Sequence, residues 1–131
     1  MKIPHLLSPV CAVFPSPADD FVDTKLDLNE HLIRHPSATF FVTVSGDSMQ
    51  GAGILNKDLC IVDKSLDPWD GAIVIAVLNG ELTIKRLKLT LSGPELHPEN
   101  PKYPIIKPGE SEEFLVWGVV TSVIHQFIFK T

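Results

Sequence analysis

The stretch Ala72-Ile73-Val74-Ile75-Ala76-Val77-Leu78-Asn79-Gly80-Glu81-Leu82-Thr83-Ile84-Lys85-Arg86-Leu87-Lys88-Leu89 reads as two strands joined by a tight turn. Asn-Gly is the strongest short hairpin signal, because both residues accept the positive φ that a two-residue loop needs. A two-residue loop also sets the register. Leu78 then faces Glu81, and Lys85 lies opposite Val74. Strict alternation along the second arm puts Lys85 on one face with Leu87 and Leu89, and Leu82 and Ile84 on the other. A bulge near Arg86 would change that facing.

Outward from the hairpin the pattern stays β. Ala38–Val44 is rich in β-branched and aromatic residues, and Leu59–Asp63 reads as a short buried strand. Prolines break 95–108 into a loop with short strands. Residues 114–129 are apolar and β-branched and are expected to close the sheet. One short helix is expected over Leu28–His35. Asp27 caps it, Glu30 stands at the N3 position, Leu28 and Leu32 share a face, and Pro36 stops it. Pro4, Pro9, Pro15 and Pro17 break any regular element before that helix. The sequence therefore predicts an N-terminal arm over 1–25 and a mainly-β domain, a compact twisted or barrel-like sheet, over 26–131.

The chain has 131 residues, enough for one compact domain. Its formal net charge is −5, and no stretch has the Lys/Arg density that phosphate contact needs, which argues against direct nucleic-acid binding. The longest apolar run, 72–78, is too short to span a bilayer, and no signal-peptide pattern is present. The two cysteines, Cys11 and Cys60, make neither a disulfide framework nor a metal knuckle, which fits a reducing cytoplasm. Cys60 lies in an apolar run and reads as a small core residue. Trp69 and Trp117 read as packing residues, and Glu110, Glu112 and Glu113 as a loop charge run.

Two segments offer chemistry. Val44-Ser45-Gly46-Asp47-Ser48-Met49 ends a strand at a glycine and sets a serine just beyond it, with main-chain N–H groups of Asp47 and Ser48 near enough to hold an oxyanion. The same tripeptide is also ordinary polar turn chemistry. A serine nucleophile needs a base. None of the five histidines has a context that marks it as one. The pair His31 and His35, at i,i+4, lacks a third metal ligand and reads as a solvated helix face. Lysine serves as a base once burial disfavours its charged form. Lys85 shares its strand face with leucines, which is unusual for a lysine. The alternative is an exposed basic stripe of Lys85, Arg86 and Lys88.

Four blocks bear on that choice. They are Ser45-Gly46-Asp47-Ser48-Met49, Asp58-Leu59-Cys60-Ile61-Val62-Asp63, Gly71-Ala72-Ile73-Val74-Ile75-Ala76 and Leu82-Thr83-Ile84-Lys85-Arg86-Leu87. In this order and spacing they resemble the LexA/UmuD family, self-cleaving serine–lysine peptidases of the bacterial DNA-damage response. The likeness covers nearly all of 11–125. Phe14-Pro15-Ser16-Pro17-Ala18, Leu26-Asp27-Leu28-Asn29 and His35-Pro36-Ser37-Ala38-Thr39 are similar to the UmuD branch in particular. Only 47 residues precede Ser48, fewer than a LexA-type DNA-binding domain and linker would take.

The resemblance implies a LexA-type peptidase domain and a serine endopeptidase, with Ser48 as nucleophile, Lys85 as base and no cofactor. It places the self-cleavage at Cys11-Ala12, where the family has Cys-Gly, with one extra residue before Phe14-Pro15. It implies a homodimer, stimulation by a RecA–single-stranded-DNA filament, and a cleaved form that serves as accessory subunit to the catalytic subunit of an error-prone translesion polymerase. Ile3-Pro4 resembles part of the arm near a sliding-clamp contact. The competing readings are a polymerase-interaction module of the same fold that does not cut, and a signal peptidase. The latter shares a Ser-Gly-x-Ser-Met block, but Gln50-Gly51 does not continue its usual pattern.

Overall fold

The structure is a computed structural model in which residues 27–128 are described. The arm 1–25, and with it Cys11, Ala12 and Ile3-Pro4, lies outside the described residues. The chain divides into two units, Met1–Arg34 and His35–Thr131.

In the first unit, α1 spans Leu28–Leu32. Asp27 caps it as its sequence position predicts, its carboxylate accepting from the main-chain N–H of Asn29 and Glu30. The helix is shorter than expected, because Ile33 is already extended. His35 at φ −130°, ψ 79° shows the reason. The ring of Pro36 disfavours helical backbone in the residue before it, so the helix has to end upstream.

The second unit is one antiparallel sheet of six strands, as the mainly-β reading predicts. They are β1 (Thr39–Thr43), β2 (Leu59–Asp63), β3 (Ile73–Leu78), β4 (Glu81–Thr90), β5 (Gly93–His97) and β6 (Phe114–Ile124). The spatial order is β1-β2-β6-β3-β4-β5. β3 and β4 pair without a register break, with Leu78 opposite Glu81 and Val74 opposite Lys85, as the turn dictates. Asn79 and Gly80 both have positive φ, 51° and 84°. The turn is further held by Asn79, whose amide donates to Glu112 and accepts from the Glu113 N–H. The Glu112 side chain therefore does more than solvate a loop.

The expected place of the C-terminal segment is corrected. The apolar C-terminal segment does not close the sheet. β6 lies inside it, paired with β2 on one side and β3 on the other. A long β-branched strand gains most from two partners, and β1 and β5 are left as the edges. Both ladders of β6 shift register, at Ile61/Val62 and at Ile75/Ala76, so single residues of β6 bulge and sharpen the local twist.

Apolar residues gather into two clusters. One holds Val44, Met49, Ile54, Cys60, Val62 and Ile75, and the other holds Ala72, Val74, Ala76, Leu87, Leu96 and Val119. Ile75 belongs to the first while its neighbours Val74 and Ala76 belong to the second, so β3 is buried on both faces. Cys60 is a core residue as expected. Trp117 packs against Phe40, ring centroids 5.2 Å apart. Trp69 is not a packing residue, since it lies on an exposed loop before β3 with half its surface open.

Gly118 marks where the two β6 ladders crowd. A Cβ there would lie 2.5 Å from Cγ1 of the fully buried Val62. Gly118→Ala is expected to destabilise the domain by about 1–3 kcal/mol, the usual cost of overpacking. A denaturant titration showing an unchanged midpoint would refute the crowding.

Candidate active site

The 44–58 connection from β1 to β2 carries Ser48. It leaves the strand at Gly46, whose φ of +92° is a conformation that glycine adopts freely. The added-Cβ space there is open, so the requirement is backbone conformation and not room. Asn56 accepts from the Gly46 N–H across the loop. Met49, fully buried in the first cluster, anchors the turn from below. Its neighbour Ser48 is half-buried and lines a cleft of about 260 Å³. Val42, Val44, Ile75, Leu82 and Ile84 make the walls apolar.

Lys85 enters this cleft from β4. Its Nζ stands 3.0 Å from Ser48 Oγ, 2.8 Å from Thr83 Oγ1 and 3.0 Å from the Ile84 carbonyl oxygen. The structure thus brings together the two side chains that the sequence singled out, 37 residues apart. Lys85 is 7% exposed, and Leu87 is buried too, so the alternation reading holds for both and the exposed-stripe reading fails for Lys85. Leu89 departs from it and is exposed, because β4 runs on past its partner β3 at that end.

Burial pushes the Lys85 ammonium below the ordinary lysine range, because desolvation penalises the charged form. Among the described residues, the other buried charged side chains are Asp58 and Asp63. Each has a histidine partner, His125 for Asp58 and His35 for Asp63. Among the described residues, no carboxylate pairs with Lys85.

Three of the described histidines are occupied elsewhere. Besides His35 and His125, His97 pairs with Glu95. The Asp47 carboxylate accepts from the Tyr103 hydroxyl, and among the described residues no imidazole bridges Asp47 and Ser48. The Asn100 amide donates to the Asp47 carbonyl, and the Glu99 N–H to the Ser48 carbonyl. Among the described residues, no acceptor pairs with the main-chain N–H of Asp47 or Ser48.

Sequence reasoning missed Thr83, Glu99, Asn100 and Tyr103. Thr83 was within reach, since it stands two residues from Lys85 on the same strand face. The other three sit in the proline-rich connection after β5, whose path over the serine turn no local pattern reveals.

The model of the Peptidase S24-like family matches residues 4–121. The chain belongs to that family. Among this S24-like chain's relatives is Protein SamA of Salmonella typhimurium, 50% identical over 115 residues, 88% of this chain and 79% of that one. Protein ImpA of Escherichia coli is 46% identical over 117 residues, covering 88% and 78%. Protein MucA of Escherichia coli is 44% identical over 122 residues, covering 92% and 82%. The LexA repressor of Paracidovorax citrulli is 36% identical over 120 residues, 92% of this chain but 53% of the repressor. The resemblance carried by the four blocks therefore stands, and the S24-like chain is a UmuD-like member of the LexA/UmuD family. No described helix is long and apolar enough to cross a membrane.

Proposed function

We propose that this chain is a self-cleaving serine endopeptidase in which Ser48 is the nucleophile, Lys85 its general base, and the Cys11-Ala12 bond of the arm over 1–25 the substrate. The observation that carries the reading is the 3.0 Å contact of Lys85 Nζ with Ser48 Oγ at a buried lysine.

A neutral amine has two N–H bonds and one lone pair. Thr83 Oγ1 and the Ile84 carbonyl accept the two N–H bonds, which leaves the lone pair facing the Ser48 hydroxyl. Ser48 Oγ attacks the Cys11 carbonyl carbon as its proton passes to Lys85 Nζ. The main-chain N–H groups of Ser48 and Asp47 hold the developing oxyanion. The intermediate collapses by breaking the C–N bond, and the Ala12 amine leaves with the proton from Lys85. Water, activated by the again neutral Lys85, then hydrolyses the Ser48 ester. The apolar cleft suits an extended segment with small side chains, and alanine at position 12 meets that need.

Membership in the UmuD-like branch supports a biological setting for this activity. The protein acts in the cytoplasm in the DNA-damage response as a homodimer. A RecA–single-stranded-DNA filament stimulates the cut by stabilising the pose in which the arm fills the cleft. The cleaved form assists the catalytic subunit of a translesion polymerase, and Ile3-Pro4 contributes a sliding-clamp contact. The excess of negative charge fits protein partners better than direct DNA contact.

Mass spectrometry of the chain after incubation with RecA, single-stranded DNA and a nucleotide analogue tests the reading. A new N-terminus at Ala12 is expected. A cut elsewhere in the arm would relocate the bond. An intact chain would favour the polymerase-interaction module that does not cut.

A further inference from the structure

The serine and the lysine have no direct covalent or ladder connection. Ser48 follows β1, whereas Lys85 lies on β4, four steps across the sheet. Their separation depends on whatever ties the serine turn to β4. Glu99, just beyond the end of β5, makes that tie with three groups. Its N–H donates to the Ser48 carbonyl at 2.8 Å, and its carbonyl accepts from the Gly51 N–H at 2.8 Å. Its carboxylate accepts from Arg86 Nε at 2.6 Å. Arg86 adjoins Lys85 on β4, and its Nη1 donates to the Gly71 carbonyl at 2.6 Å, which fixes the guanidinium plane.

The contact is close on the serine side as well. A Cβ on Gly51 would sit 2.6 Å from the Glu99 carbonyl oxygen, so glycine at 51 is what lets the two chains meet.

We infer that Glu99 is a positioning residue that sets the Ser48–Lys85 distance, its main chain gripping the serine turn and its carboxylate gripping the lysine strand through Arg86. This rests on the Ser48–Lys85 reading. Glu99 touches neither reacting atom. Its effect is geometric, and a misplacement of about 1 Å costs on the order of 100-fold in rate.

The test is RecA-independent self-cleavage of the full chain, followed against pH into the alkaline range where the rate levels off. Glu99→Ala is expected to lower the plateau about 100-fold, with the midpoint of the pH profile unmoved, because Lys85 stays buried. Glu99→Gln keeps an oxygen that accepts from Arg86 and should recover the plateau to within about threefold of the parent. Gly51→Ala pushes the same contact apart from the other side and should lower the plateau without touching the ion pair. It also keeps the test open if Glu99→Ala fails to fold. A plateau for Glu99→Ala and Gly51→Ala within about threefold of the parent, with Ser48→Ala and Lys85→Ala inert, overturns the role of Glu99 alone. Cutting by the Ser48→Ala and Lys85→Ala chains overturns the dyad reading and this inference with it. A pH midpoint that moves in Glu99→Ala overturns a purely geometric role.

Discussion

Ser48→Ala is expected to leave no self-cleavage at all, because the oxygen that forms the acyl ester is gone. Lys85→Met is expected to lower the rate on the order of 10²–10⁴-fold, the range that a positioned general base supplies. The methionine variant is the more telling of the two. Lys85 is a buried cation precursor among apolar walls, with Ser48, Thr83 and a carbonyl as its hydrogen-bond partners among the described residues. Holding it there costs desolvation energy that no carboxylate offsets. An apolar side chain of similar length removes that cost, and such replacements of buried charges are often neutral or stabilising. The variant should therefore cut slower by that factor yet melt at the parent's temperature or above it. A structural lysine gives the opposite pair of results, a cut at the parent's rate and a lower melting temperature. Lys85→Arg should also be inactive, because a guanidinium stays protonated and offers no lone pair. Cleavage measured by gel on the full chain, beside calorimetry of the same samples, separates these cases.

Self-cleavage without an activator is expected to climb about tenfold per pH unit from neutrality and then level off. Only the neutral amine accepts the Ser48 proton. An unperturbed lysine, with a pKa of about 10.4, is neutral in about one molecule in 2,500 at pH 7. Burial of Lys85 lowers its pKa, which raises the neutral fraction at any given pH below the plateau. The sign follows directly. A lower pKa brings the plateau to lower pH, so the profile should level off below the value of a free lysine. Loosening the cleft should move the plateau back up. Leu82→Ala and Ile84→Ala are suitable probes, since both residues line the cleft around Lys85. A profile that is flat from pH 7 to 10 would mean that the group taking the serine proton is not this lysine.

Some of this molecule was legible residue by residue. The Asn79-Gly80 turn admits one short loop geometry, so the facing of Val74 and Lys85 followed from counting. Asp27 as a cap and Pro36 as a stop acted through contacts within a few residues, and both acted as expected apart from the helix length. Leu59–Asp63 ended where the apolar run ended. The misreadings have one cause. Trp69 and the C-terminal segment were judged by hydrophobicity, which states that a side chain favours burial but not which neighbour buries it. β6 went to the middle of the sheet because two flanking strands bury more of it than one would, and Trp69 stayed outside while Leu66 and Ala72 of the same loop took the places in the second cluster.

By itself, the sequence determined five of the six strands, the hairpin register and the identity of Ser48 and Lys85 as the pair to examine. Each of those rests on short-range periodicity, turn stereochemistry or the order of the blocks. Only the tertiary structure decided that the two side chains meet at 3.0 Å, that Lys85 is buried with no counter-ion among the described residues, and that Glu99 bridges their elements. Those facts depend on β1 and β4 being held four strands apart in a twisted sheet, and on a proline-rich connection crossing over the serine turn. Such distances come from the summed packing of residues far apart in the chain, and no local pattern encodes them.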